Sequence, residues 1–284
     1  MNDALRTALT RLRLSGLATS LDVRLQEAVG HQLGHAEFLE LVLQDELLIR
    51  NERLVARRVK TAGFREHKTL EDFDWPFNPS IKRKQVFDLA TCRFIREARD
   101  VLLLGPPGTG KSHLAQALGH QAIKSGFVVL YRSIFDLVRD FLHDEALGGQ
   151  GGGLTGITAA TRTLDRYLRP DLVIIDDMGM KQLPKRSGEY LFEIILRRHE
   201  VKSTLMTSNR PLDDWGKLIG DVPSATAILD RFLHHSEMIQ ITGKSYRLAT
   251  RDKAPKDTKA PTGSSDSKDT KAPTGSPADK TTGK

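Results

Sequence analysis

The sequence predicts an α/β fold, in which a parallel β-sheet is flanked by helices and is preceded by a small all-helical domain. Three observations support this. Beyond residue 100, short apolar runs alternate with helical segments, the first of these runs leads into a glycine-rich loop, and the first 64 residues have helical periodicity. Alternating strands and helices form parallel sheets covered on both faces. Such sheets bind ligands at the carboxyl ends of their strands.

The N-terminal segment is predicted to be helical and to form its own domain. Leucines recur at intervals of three or four residues, at Leu5, Leu9, Leu12, Leu39, Leu43 and Leu47. This spacing is typical of one face of a helix. We therefore assign residues 1–66 to a helical domain that binds DNA or a partner. A proline-containing linker and the first helix of the next domain follow at 67–99.

The α/β domain is assigned to residues 100–249. Its predicted strands are 101–104, 128–131, 172–175 and 204–207, and its predicted helices are 113–124, 133–143 and 189–200. Each strand is a short, mostly apolar run bounded by polar or turn-forming residues. The remainder, 250–284, contains KDTKAPTGS twice and lacks large apolar residues. Because such a sequence buries too little apolar surface to offset its ordering entropy, we expect a disordered basic tail.

The net charge is +7, and basic residues outnumber acidic ones seven to two at 50–68 and six to two at 82–99. Basic helices of this kind are suited to a phosphate backbone, although a solvated helix face is the alternative. The candidate DNA contacts are Arg57, Arg58, Lys60, Lys82, Arg83, Lys84, Lys185 and Arg186. No apolar run approaches the roughly 20 residues that a membrane span needs. The single cysteine excludes an intramolecular disulfide, so we expect a soluble cytoplasmic protein without a membrane partner.

A glycine-rich loop with the pattern G-x-x-x-x-G-K-S lies between the first predicted strand and a helix. It consists of Gly105, Pro106, Pro107, Gly108, Thr109, Gly110, Lys111 and Ser112. Glycines let the backbone curl until several N–H groups face the phosphates, and the helix adds the positive end of its dipole. Lys111 is expected to reach the β and γ phosphates, and the Ser112 hydroxyl to bind Mg²⁺. The sequence therefore predicts a site for ATP and Mg²⁺.

Two acids follow the strand at 172–175. Burying paired carboxylates at a strand end is costly unless a cation or hydrogen bonds compensate. Asp176 fits as the acid that holds Mg²⁺, and Asp177 as the group that orients or deprotonates the attacking water. A helix N-cap is the alternative for either residue.

Three further polar residues are candidates for the same reaction. Asn209 follows the strand at 204–207 and could hold the attacking water, although it could equally begin a turn. Arg231 lies on the polar face of an amphipathic segment, and Arg247 follows a short strand-like segment. Guanidinium groups stabilise the charge of a transferred phosphoryl group. From local sequence, a surface salt bridge is the alternative for each arginine.

Five segments of the α/β domain, taken in order, resemble the IstB-type transposition helper ATPases. They are GPPGTGKSHLAQAL, LVIIDDMG, TSNRPLDDWG, AILDRFLHH and GKSYRL. Upstream, FLELVLQDELLIRNERLVARRVKTAGF and KTLEDFDWPFNPSIKRKQVFDLATCRFI resemble the helical domain and linker of that family. These ATPases are relatives of the DnaC-type helicase loaders in the AAA+ superfamily. The resemblance extends from about residue 5 to 248 and leaves out only the repeated tail.

The resemblance implies an ATPase that forms oligomers on duplex DNA, selects or remodels a target site, and recruits and stimulates a cognate transposase. By position, Lys111 and Ser112 correspond to Walker A and Asp176 and Asp177 to Walker B. Asn209 corresponds to sensor 1, Arg231 to an arginine finger acting in trans, and Arg247 to sensor 2. The nucleotide site also takes in His113, with Phe73 and Asn78 near the adenine. Asp177 departs from the Asp-Glu pair of many such ATPases, because it is one methylene shorter.

Two alternatives share the same phosphate-binding loop. A replicative helicase loader of the DnaC type has the same ATPase core, but the N-terminal helices and the His234-His235 pair favour the transposition group. A small-molecule kinase needs a lid that grips phosphate, and no arginine-rich lid is evident in the sequence.

Overall fold

The α/β domain is built on one parallel sheet. A computed structural model of the chain describes residues 2–150, 154–180 and 182–253. The strands in these residues are β1 (Asp100–Leu104), β2 (Val129–Ser133), β3 (Leu172–Met178), β4 (Ser203–Ser208) and β5 (Ser236–Gln240). Their order across the sheet is β2-β3-β4-β1-β5, and every neighbouring pair is parallel. The predicted fold class and the four predicted strands are confirmed. Strand β5 was not predicted and forms one edge of the sheet.

The segment before the sheet is helical, as predicted. Its helices are α1 (Asp3–Arg11), α2 (Ser15–His31), α3 (His35–Ala62), α4 (Arg83–Ala90) and α5 (Arg93–Arg96). A small core of Leu9, Leu17, Leu21 and Val42 holds the first three together. The buried Glu46 carboxylate joins α3 to α2, because it accepts a hydrogen bond of 2.9 Å from the Leu17 main-chain N–H.

The C-terminal part of α3 packs against the sheet domain. Val55, Val59 and Ala62 contribute to the same core as α6 and β2. The helix ends at Gly63, whose φ is 79°. Residues with a Cβ are strained at this φ, so the turn favours glycine, and a Cβ would also displace the Arg132 guanidinium, whose Nη1 would lie 2.3 Å away. The chain that leaves α3 is therefore fixed beside the sheet.

Seven α-helices follow β1 in the described residues, and those that enter the two cores cover the faces of the sheet. The seven are α6 (Lys111–Lys124), α7 (Ile134–Gln150), α8 (Leu154–Leu168), α9 (Ser187–Arg198), α10 (Trp215–Ile219), α11 (Val222–His234) and α12 (Tyr246–Lys253). Helices α6, α7 and α9 confirm the three predictions, whereas α8 was not predicted. No helix in the described ranges is long and apolar enough to cross a membrane. The prediction of a disordered tail from residue 250 is wrong for 250–253, which belong to α12, and the rest of that tail lies outside the described residues.

Alternate residues of each strand enter opposite cores, because side chains of a strand point to its two faces in turn. Leu103 and Ile174 belong to the core with α4 and α6. Leu102 and Val173 belong to the core with α7, α9 and α11. Both cores are buried, and this fixes the carboxyl ends of the strands along one edge of the sheet.

Two neighbouring residues on α9 allow the packing to be tested. Ile195 is 2% exposed in the core and Leu196 is 41% exposed. We expect Ile195→Ala to lower the free energy of unfolding by about 2–4 kcal/mol, because it removes buried methyl groups and leaves a cavity. Leu196→Ala is the matched control and should cost under about 1 kcal/mol. Urea unfolding followed by circular dichroism measures both, and equal losses would contradict the assigned faces of α9.

Candidate nucleotide-binding site

The loop between β1 and α6 needs its glycines for conformation and for space. Gly108 and Gly110 have φ values of 77° and 99°. A Cβ at Gly108 would lie 2.1 Å from the Ser245 hydroxyl oxygen, and one at Gly110 would lie 2.8 Å from the Phe73 ring. Because residues with a Cβ rarely adopt such φ values, the two motif glycines are required by the loop itself.

Lys111 lies under this loop and is 4% exposed. Its ammonium donates hydrogen bonds to the main-chain carbonyls of Gly105 and Pro106, at 2.7 and 2.6 Å. Thr109 also donates to Pro106 O, at 2.8 Å. Burial lowers the pKa of Lys111 to about 8, against the opposing attraction of Asp176 and Asp177. The loop therefore holds a cation that is partly desolvated and turned inward.

Asp176 is fully buried at the end of β3, where hydroxyl groups surround its carboxylate. Ser112 donates to Oδ1 at 3.0 Å, Thr207 also donates to Oδ1, and Tyr131 donates to Oδ2. Burial, together with the charge of Asp176, raises the pKa of the Tyr131 phenol, which therefore remains a donor. The site brings Ser112 and Asp176 together as oxygen ligands, the kind that Mg²⁺ prefers.

Asp177 leaves the strand ladder, because the register of β3 against β4 shifts between Ile175 and Met178. Its φ is 65°, and its N–H donates to Asp176 Oδ1 and Thr207 Oγ1 at 2.9 and 3.1 Å. Its carboxylate accepts a hydrogen bond of 2.6 Å from Arg65 Nη1. Arg65 follows α3 and is a site residue that the sequence analysis missed.

A cavity of about 480 Å³ lies over the loop, within the usual range for small-molecule sites. Predicted residues that line it include Pro107, Gly108, Thr109, Gly110, Lys111, Ser112, His113, Phe73, Asn78, Asp177, Asn209 and Arg247. The Asn78 side-chain nitrogen is buried without a hydrogen-bond partner. Phe73 packs edge-on against His113, and Phe77 against Tyr246, with ring centroids 5.0 and 4.9 Å apart. An unpaired amide beside aromatic rings suits a nucleotide base, and the loop suits its phosphates.

Of the three remaining candidates, Asn209 and Arg247 line the cavity and Arg231 does not. Asn209 lines the cavity, with its side-chain nitrogen 3.0 Å from the Met180 sulfur. Arg247 lines it too and is the second residue of α12. The first residue of that helix, Tyr246, donates its N–H to Gly108 O at 2.9 Å. Arg231 is not in the cavity lining. It lies on α11, with its guanidinium 5.5 Å from the centroid of the Phe192 ring.

The candidate DNA contacts are mostly exposed. Arg57 and Lys60 are exposed on α3, whereas Arg58 donates to the Gly126 carbonyl. Arg83 stacks against the Trp75 and Phe87 rings, at 5.6 and 5.1 Å from their centroids. The other candidates are exposed at the start of α4 and before α9: Lys82, Lys84, Lys185 and Arg186. The basic residues therefore occupy more than one surface.

Residues 7–254 match the sequence profile of the family described as IstB-like ATP binding protein. The chain belongs to this family. It is 37% identical to the protein named as the ATP-binding protein of insertion sequence IS21 in Pseudomonas aeruginosa, over 92% of this chain and 95% of that one. It is also 34% identical to the protein named as the ATP-binding protein of insertion sequence IS5376 in Geobacillus stearothermophilus. That match covers 88% of this chain and 94% of the other.

A solved structure shares the fold of this IstB-like chain. It is the replication initiator DnaA bound to AMPPCP and single-stranded DNA, with a TM-score of 0.50 and 23% identity. The match covers 67% of this chain and 55% of that one, so this chain spans about half the length of that protein. At this identity the likeness concerns the fold alone, and it agrees with the predicted parallel sheet flanked by helices.

The lowered pKa of Lys111 predicts how nucleotide binding depends on pH. Lys111 loses its charge as the pH rises through about 8, and the phosphates then lose a cation. We expect ATP affinity to fall about tenfold between pH 7 and pH 9, measured by calorimetry. Lys111→Arg keeps its charge and should show no such fall, and Lys124→Ala at the end of α6 should match the unaltered protein. A flat profile for the unaltered protein would contradict the assignment.

Proposed function

We propose that this chain is an ATP-dependent, DNA-binding transposition helper that forms oligomers on duplex DNA. In this role it selects or remodels target DNA, and it recruits and stimulates a cognate transposase. One observation carries the proposal: Lys111, Ser112 and Asp176 meet at the carboxyl edge of the sheet, under a loop of the phosphate-binding type. Relatives named as ATP-binding proteins of insertion sequences support the biological setting.

ATP hydrolysis is the proposed reaction. The loop N–H groups and Lys111 would bind the β and γ phosphates, and Ser112 and Asp176 would hold Mg²⁺, which would neutralise charge on the phosphate oxygens. Asp177 and Asn209 both line the cavity and would position the attacking water. Arg247 lies on the same cavity and would contact the phosphates.

Asp177 is held by Arg65 in the described structure, and this suggests a slow basal reaction. While Asp177 Oδ2 accepts the 2.6 Å hydrogen bond from Arg65, that oxygen is not available to the attacking water. Arg65 belongs to the segment that leaves the N-terminal helices. We infer that a shift of these helices on DNA or on a partner separates the pair and allows Asp177 to act.

The position of Arg231 supports the proposal that the chain forms oligomers. It is outside the cavity and lies on α11, so it would not serve the nucleotide of its own subunit. We propose that it acts as an arginine finger on the nucleotide of a neighbouring subunit. The exposed basic residues of α3 and α4 would contact the DNA backbone.

Electron microscopy with ATP and duplex DNA tests the proposed function. We expect regular oligomers on the duplex with ATP, and none with the Lys111→Ala variant. The double variant Lys82→Ala/Lys84→Ala should bind DNA more weakly and with a smaller salt dependence, because it removes two phosphate contacts. The absence of assembly with ATP, together with no effect on a cognate transposase, would remove the proposal.

The pair between Arg65 and Asp177 gives a further prediction. Arg65→Ala should raise ATP turnover without DNA several-fold, because it releases the Asp177 carboxylate. Lys68→Ala is the matched control, since Lys68 also lines the cavity but pairs with Glu66 at 2.7 Å. Asp177→Ala should keep ATP binding and stop turnover. A steady-state phosphate-release assay measures all three, and lower turnover in Arg65→Ala would show that Arg65 assists the reaction.

A further inference from the structure

Imidazoles and a carboxylate gather at the edge of the sheet opposite the nucleotide cavity. His199 and Glu200 lie in the turn between α9 and β4, and His234 and His235 join α11 to β5. These positions precede the amino ends of β4 and β5, whereas the phosphate-binding loop follows the carboxyl end of β1. The cluster is thus separate from the ATP site.

The candidate ligand atoms of the cluster are close enough to bind one metal ion after small side-chain movements. One ligand atom from each of His199, Glu200 and His234 lies within 4.8 Å of the other two. Zn–N bonds of about 2.0–2.1 Å place tetrahedral ligand atoms roughly 3.3 Å apart, so small side-chain rotations close the gap. The His234 and His235 ring centroids are 4.1 Å apart, and that of His199 is about 6 Å from each.

The fourth residue orients the carboxylate. His235 Nε2 lies 2.8 Å from Glu200 Oε1, and His199 Nε2 lies 3.8 Å from the same oxygen. A hydrogen bond from outside the ligand set to a ligating group is the usual arrangement around bound metal ions. In addition, the Nδ1 atom of His199 is buried without a hydrogen-bond partner. One imidazole therefore has a nitrogen for which the protein provides no bond.

The main chain holds both pairs in place. Glu200 has a φ of 58°, and the N–H groups of Val201 and Lys202 donate to Arg198 O at 3.0 and 2.9 Å. The His235 carbonyl accepts a hydrogen bond of 3.1 Å from Asp100 N at the start of β1. Because the turns are fixed to the sheet, closing on an ion would cost little backbone entropy.

We propose that His199, Glu200 and His234 bind a first-row transition-metal ion of the Zn²⁺ class, with His235 orienting Glu200. Imidazole nitrogens with one carboxylate suit Zn²⁺, whereas Mg²⁺ and Ca²⁺ prefer all-oxygen sites. Three protein ligands leave a position for water. The ion links the α9–β4 turn to the end of α11.

The test uses the untagged protein with Mg²⁺ in excess, so that the ATP site is occupied by its own cation. Zn²⁺ is titrated by calorimetry, and Co²⁺ is followed by the visible absorption of tetrahedral cobalt. We expect one ion per chain, and affinity reduced at least tenfold in His199→Ala and in His234→Ala. Zn²⁺ should also raise the melting temperature of the unaltered protein but not that of these variants.

His143→Ala is the matched control, because His143 is exposed and lies near a carboxylate, at 3.6 Å from Asp144, but outside the cluster. It should bind Zn²⁺ like the unaltered protein. Melting temperatures without metal show whether each variant is folded, and Glu200→Gln is a second, milder test of the ligand set. Equal binding by the cluster variants and the control, or no tetrahedral cobalt spectrum, would overturn the proposal and leave a cluster held by hydrogen bonds alone.

Discussion

The structure depends on the hydrogen bonds that offset the desolvation of one buried carboxylate, that of Asp176. An ionised carboxylate in a protein interior costs several kcal/mol unless hydrogen bonds or a cation offset the loss of water. Here three hydroxyls from three different elements donate to it: Tyr131 from β2, Thr207 from β4 and Ser112 from α6. Each donor comes from a neighbour of β3, so the strand order and the buried charge support each other.

The segment that follows α3 also contacts the carboxyl edge of the sheet, so the position of the N-terminal helices affects the site. The N–H groups of Arg65 and Glu66 donate to Gln116 Oε1 at 3.1 and 3.0 Å, and Gln116 Nε2 donates to Ser112 O at 3.2 Å. Phe64 stacks on His120 of the same helix, with centroids 4.2 Å apart. The segment that leaves α3 is thus attached to the phosphate-binding helix and to Asp177. A displacement of α3 would move both, which gives the proposed coupling a contiguous physical path.

The sequence predicted what depends on local spacing and missed what depends on strand order. The loop at 105–112 and the acids after β3 were found because each lies within a few residues of one strand. The bond between Arg65 and Asp177 joins residues 112 positions apart, and no local pattern signals it. Tyr131 and Thr207 looked like ordinary strand residues, because their role requires that β2 and β4 flank β3. Helix α8 follows a glycine-rich stretch, which obscured its periodicity.

Helix α11 carries both Arg231 and His234. The arginine finger proposed at Arg231 would get no help in positioning from the nucleotide of its own subunit, so its own fold would have to hold it. Buried Ile228 and Phe232 anchor one face of α11 in the core, and Phe192 of α9 supports the Arg231 guanidinium. His234 ends the helix three residues later. An ion bound there would tie α11 to the turn that follows α9, so the proposed metal site would stiffen the two helices that present Arg231.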